Sequence, residues 1–191
     1  MALPLDLEAL RAALRAGQSF RYRFFWGHTP GEDGALSDAV FSQWWPATFE
    51  LEGHVYRTAE QWMMAEKARL SGDEATRAAI LEAPEPARSK KLGRQVKGFD
   101  EARWAAVRFD LVTTGNLAKF EQDPALRAYL LSTGDDVLVE ASPFDQISGI
   151  RAGGRLAGGP GPGHLAWPEP ARLRAHADAR GAPGELPPPR R

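Results

Sequence analysis

The chain has 191 residues, 43% hydrophobic and 26% charged, with 24 basic against 25 acidic side chains for a net charge of −1. That length holds one domain of ordinary size, and the balanced charge excludes a protein that coats polyanions, so any contact with nucleic acid is local. The absence of cysteine excludes disulfides and thiolate metal sites, and His28, His54, His164 and His176 lack metal-ligand spacing, so neither metal nor cofactor is expected. No apolar run reaches membrane-span length and no signal-peptide core precedes the first helix, so a soluble, cytoplasmic protein is expected.

In chain order, residues 5–16 carry leucines at 5, 7, 10 and 14 and predict an amphipathic helix closed by Gly17. Phe20 to Trp26 is aromatic and basic and predicts a strand entering a Gly/Pro loop. The Trp44–Trp45 pair follows, then a hairpin-like turn at Gly53 and a helix with Thr58 as its N-cap. Within that helix Glu60, Met63, Met64 and Lys67 fall at i, i+3, i+4 and i+7 and share one stripe. Two turns separate the Cα atoms of Glu60 and Lys67 by about 10 Å. An acid and an amine across that gap can close on a small polar group, or can flank a packed methionine stripe and reach solvent.

Residues 73–82 and 86–96 predict two further helices, the second basic and started by proline. Phe99 to Gln122 predicts a long helix with apolar faces from Trp104, Val107, Phe109, Leu111 and Leu117. Asp123 and Pro124 start another that stops at Gly134, and residues 137–141, VLVEA, read as a buried strand. Residues 151–191 hold eight of the nineteen glycines and eight of the fifteen prolines, a composition that predicts disorder.

The ordered part resembles the NADAR family, also called YbiA-like, of N-glycosidases. The likeness runs from about Phe24 to Ile150. It rests on FFWG (24–27), FSQWWPATFELEGHVYRTAEQW (41–62), AEKA (65–68), ARSKKLGRQV (87–96), RW (103–104), AKFEQDPALRAYLLST (118–133) and LVEASPFDQISGI (138–150). The resemblance implies a single, mainly helical α+β domain with small β elements over residues 20–150, after an N-terminal helix within 1–19. It also implies hydrolysis of a bond between ribose and a nitrogenous base. The two substrate classes it implies are ribosylaminopyrimidine phosphates of early riboflavin synthesis and ADP-ribose on guanine in nucleic acid. Both join the sugar to an exocyclic amine.

Such a bond suits an acid and an amine. Ring opening gives an imine that Lys67 could intercept as a Schiff base; direct cleavage through an oxocarbenium-like state needs a carboxylate and an acid. Glu60 fits acid/base work on either route, and Asp145, after the strand, fits orientation of a ribose hydroxyl or an Asx-turn. Arg94 reads as a phosphate contact or part of a solvated basic face. Trp26 and Trp104 read as stacking platforms, with core packing the alternative for Trp104. Lys119 reads as a phosphate contact or a charge matched to its helix dipole. Arg23, Ser42 and Glu140 complete the expected substrate-contact set. The expected partner is a small nucleotide-like substrate, with ADP-ribosylated nucleic acid the larger option.

The resemblance breaks after Asp145. Ser148 stands where the family carries tryptophan, and the family's closing apolar helix is missing. In the neighbouring frame, where the protein fixes two bases of each codon and wobble leaves the middle one mostly free, residues 151–185 can be read with GC-rich codons as a string containing NLLGFALM, the pattern of that helix. A one-base insertion at the Ile150 codon is the expectation that explains the tail. A binding module without turnover, or an inactive family member, is the alternative reading of these departures.

Overall fold

The structure is a computed structural model, and it describes residues 7–31 and 34–140. The expectations for Asp145, Ser148 and the 151–191 tail fall outside the described residues. Within them the fold is mainly helical α+β, in the order α1 (Leu7–Arg15), β1 (Tyr22–Phe25), a 3-10 turn (Asp38–Phe41), β2 (Phe49–Leu51), β3 (His54–Tyr56), α2 (Ala59–Leu70), α3 (Glu74–Leu81), α4 (Pro86–Gly93), α5 (Glu101–Gln122), α6 (Pro124–Ser132) and β4 (Val137–Glu140).

Capping residues set most helix starts. Thr58, Asp73, Asp100 and Asp123 each accept a backbone N–H from the first turn of α2, α3, α5 and α6 respectively. β2 and β3 form an antiparallel hairpin with Leu51 opposite His54, and its two turn residues, Glu52 and Gly53, hold φ of 51° and 76°. Both signs are positive because that turn hand follows the strand twist.

β1 and β4 pair in parallel, with Tyr22 opposite Val137 and Phe25 opposite Glu140. The buried strand expected at 137–141 is a correction: in β4 only Leu138 is buried. A two-stranded sheet is packed on one face here, so alternate side chains look outward. Phe25 and Leu138 enter one apolar cluster with Val40, Phe41, Trp45, Phe120, Leu126 and Leu130. A second cluster joins Phe49, Tyr56, Trp62, Met64, Ala65, Ala68, Ile80 and Ala118. The last turns of α5 serve both, through Phe120 and Ala118.

Helix α2 packs against α3, α4 and α5. The expected single stripe understates it: Ala59, Glu60, Gln61, Trp62, Met64, Ala65, Glu66 and Ala68 are all buried. Helices on several sides leave α2 little solvent face, so its polar residues need partners inside. Gln61 donates its side-chain amide to the carbonyls of Ile80, Leu81 and Ala83 and accepts from Arg57 N–H, knitting α2 to the end of α3. The apolar faces expected along α5 are likewise redistributed. Its buried side is Val112, Thr113, Gly115, Asn116, Ala118, Lys119 and Phe120, and Trp104, Val107 and Phe109 are only half-buried.

Small residues permit a close helix crossing. A Cβ placed on Gly115 would stand 2.2 Å from Cδ1 of Trp62. That indole is fixed, since its Nε1 donates to Leu111 O at 2.8 Å. Gly115→Ala is therefore expected to lower stability by about 2 kcal/mol through overpacking, despite the roughly 1 kcal/mol that alanine gains over glycine in helix propensity. Urea denaturation checks this; a variant as stable as the parent would show that the two helices are not in this contact.

Candidate active site

The first turn of α2 leaves N–H groups that no helical carbonyl can accept. Gln61 N–H is taken by Thr58 Oγ1 at 3.2 Å, and Glu60 N–H by the backbone carbonyl of Gln43 at 2.9 Å. The segment after the 3-10 turn thus acts as an outside cap for α2. It is tightly folded itself: Ser42 Oγ accepts Trp44 N–H, and Ser42 O accepts Trp45 N–H, both at 3.1 Å.

Glu60 is only 3% exposed, and its Oε1 has no hydrogen-bond partner among the described residues. Burial pushes its carboxyl above the ordinary range; the cations of Lys90 and Arg94 and a hydrogen bond from the Trp44 side chain pull the other way, and Glu140 adds to the rise. The indole of Trp44 has neighbours of its own, with Lys90 Nζ 5.3 Å from its ring centre and the His28 ring at 5.3 Å. Sequence reasoning points to Glu60, Arg94 and Glu140, and the structure brings their charges together. It misses Lys90, Gln43 and the role of Trp44. Lys90 has a signal: four residues before Arg94 on α4, it shares that residue's face.

Lys119 holds the wall of this site. Its side chain is 1% exposed and its amine donates to Val40 O at 2.6 Å and Ser42 O at 2.9 Å. Burial pulls the amine down to about 7. Expected as a substrate contact, Lys119 instead meets backbone, and Ser42 is buried beside it with its oxygens engaged within the protein. A lysine flanked by Ala118 and Phe120 on a packed helix face is the sequence signal for such a strut.

Lys67 lies in different surroundings. Its amine sits 4.0 Å from the centre of the Phe99 ring, and burial lowers its pKa while Glu101 raises it. It opens into a cavity of about 180 Å³ lined by Leu70, Ser71, Phe99, Asp100, Arg103 and Trp104 among others. Asp73 positions this wall by accepting Lys97 N–H at 2.9 Å, and Gly98 turns the backbone with φ of 68°. Lys67 and Trp104 are therefore together. The cavity is smaller than the roughly 300 Å³ at which drug-sized pockets begin, enough for part of a nucleotide.

Arg23 is held by carboxylates, Asp38 at 3.1 Å and Asp136 at 3.2 Å, and Tyr129 also donates to Asp38. These pairs tie β1 to the 3-10 turn and to the start of β4. Trp26, beyond the end of β1, is 53% exposed. Asp145 lies outside the described residues.

The state of Glu60 has a measurable consequence. A carboxyl whose folded pKa is raised binds its proton more tightly in the folded protein, so its contribution is fully present below the unfolded value of 4.5 and is lost as pH climbs through the folded value. Glu60→Gln is expected to raise the melting temperature near pH 7.5, with the gain shrinking below pH 4.5. Thermal melts at both pH values check it; an unchanged or lowered melting temperature at pH 7.5 would mean that Glu60 is well satisfied when ionised.

The NADAR domain family matches residues 24–160. N-glycosidase R617 of Acanthamoeba polyphaga mimivirus is 43% identical over 135 residues, covering 68% of this chain and 78% of that protein. N-glycosidase Npun_R5314 of Nostoc punctiforme is 31% identical over 112 residues, covering 59% and 72%. The NMR structure of the E. coli protein YbiA aligns with a TM-score of 0.54 at 26% identity, over 70% of this chain and 75% of that one. With a family match over most of its length and N-glycosidases among its relatives, the chain belongs to the NADAR domain family.

Proposed function

We propose that this protein is an N-glycosidase that hydrolyses the bond between a ribose carbon and an exocyclic amine of a base. The substrate is a phosphorylated ribosylaminopyrimidine or an ADP-ribosylated guanine. The observation that carries this reading is the Glu60 carboxyl, buried near the charges of Lys90 and Arg94 and the Trp44 indole, with Oε1 unpartnered among the described residues. Burial favours its protonated form, the form a general acid needs.

In the direct route the C1′–N bond breaks with its electron pair on nitrogen. The nitrogen takes the Glu60 proton, and the carboxylate left behind stabilises the oxocarbenium and accepts a proton from the attacking water. In the Schiff-base route the C1′–O4′ bond opens, O4′ takes a proton and C1′=N forms. The neutral Lys67 amine adds to C1′, the base leaves as its free amine, and water hydrolyses the lysine imine to release the sugar and restore the amine. Lys90 and Arg94 suit the phosphate oxygens of either substrate. Trp104, beside Lys67, suits a flat ring. Asp145 remains our candidate for orienting a ribose hydroxyl, and the protein acts in the cytoplasm without metal or cofactor.

Glu60→Gln is expected to slow base release by about 10²-fold or more, and full activity in that variant would remove Glu60 from the chemistry. Borohydride added during turnover separates the routes, since a reduced sugar adduct on the Lys67 peptide marks the Schiff base and its absence marks direct cleavage. Both assays run on the protein as it stands and on one with the shifted-frame tail after Ile150. Turnover confined to the second would support the one-base insertion, which sequencing across the Ile150 codon decides.

A further inference from the structure

Buried polar atoms in a folded protein nearly always find partners, and a cluster without them needs an explanation. Among the described residues, Gln43 Oε1 and Nε2 are both buried with no hydrogen-bond partner, and Glu60 Oε1 is in the same condition. The two residues are joined directly, since Glu60 N–H donates to Gln43 O. The Gln43 backbone is also held from both sides. Its neighbour Ser42 binds Lys119 and the amides of Trp44 and Trp45, so the segment is not floppy. A carboxamide carries a donor and an acceptor in one plane. On a held backbone and without a partner among the described residues, it is complementary to a ligand edge that offers the reverse pair.

We propose that Gln43 is the specificity-determining residue for the departing base, reading the N–H and C=O of a lactam edge with the oxygen and NH₂ of its carboxamide. The assignment rests on the N-glycosidase reading and goes beyond it by stating which feature of the base is recognised. A lactam is present in guanine and in an oxo-aminopyrimidine, so one residue serves both substrate classes. Bases that lack it leave the Gln43 amide unpaired. Sites built around such hydrogen bonds reject analogues missing the partner far more strongly than apolar pockets reject a size change.

The test measures binding, so it stands apart from turnover. Wild type, Gln43→Leu and Gln43→Met are titrated with guanosine 5′-monophosphate and with purine riboside 5′-monophosphate, which shares the sugar and phosphate but has no lactam. Tryptophan fluorescence reads binding, and circular dichroism confirms the fold. Wild type is expected to prefer the guanosine nucleotide by about 30-fold or more, and both variants to bind the two ligands within about threefold of each other. Equal binding of the two nucleotides by wild type, or a preference retained by a folded variant, overturns the assignment. A preference lost with Gln43 but unaccompanied by base release would overturn the glycosidase reading and leave the Gln43 assignment standing.

Discussion

A single buried amine ties the two apolar clusters to the site. Lys119 reaches from α5 to the carbonyls of Val40 and Ser42, more than 70 residues earlier in the sequence. The 3-10 turn it grips has Phe41 in the first cluster; the segment after it supplies the Gln43 carbonyl that caps α2, which carries Trp62 of the second. An ammonium in such a place is costly unless its hydrogen bonds are made. Two carbonyls meet that need, and each gains the buried amine as a donor.

The site built on this frame runs against stability. Glu60 is placed where its charged form is disfavoured by burial, and its backbone is bonded to that of Gln43, whose two side-chain polar atoms have no partner among the described residues. Elsewhere α2 shows how readily this fold satisfies buried polar groups. Gln61, the next residue, makes four hydrogen bonds through its side chain, and Glu66 takes a close bidentate contact from Arg69 at 2.7–2.9 Å. Other buried polar atoms, those of Tyr56 and Asn116 among them, also have no partner among the described residues, but at Glu60 and Gln43 they fall on two residues joined through their backbones next to the charges of α4, which points to a ligand that completes them. The same contrast separates the two ends of α2. Glu60 faces charges from α4 and β4, whereas Lys67 faces an aromatic cavity built from the α4–α5 connection and the start of α5.

Local chemistry made much of the fold legible in the sequence. Thr58 and Asp123 announce helix starts because their side chains accept first-turn amides, and Gly53 announces a hairpin because the turn needs positive φ. Contacts distant in sequence were not legible. Arg23 looks like a spare cation until Asp136, 113 residues away, is folded against it. Lys119 resembles a solvent-facing or phosphate-binding charge until Val40 and Ser42 arrive. Spacing placed Glu60 and Lys67 on one stripe, but it could not show that each end of α2 meets different neighbours. Gln43 gave no signal at all, because its importance lies in partners it lacks.

Amide hydrogen exchange in Lys119→Met tests the frame most directly. The amides of Glu60 and Trp45 are bonded to Gln43 and Ser42 and should lose protection by about tenfold or more, while those of α3, remote from the strut, change far less. Protection at Glu60 and Trp45 unchanged, or falling only in step with α3, would contradict the claim that the buried amine holds this site together.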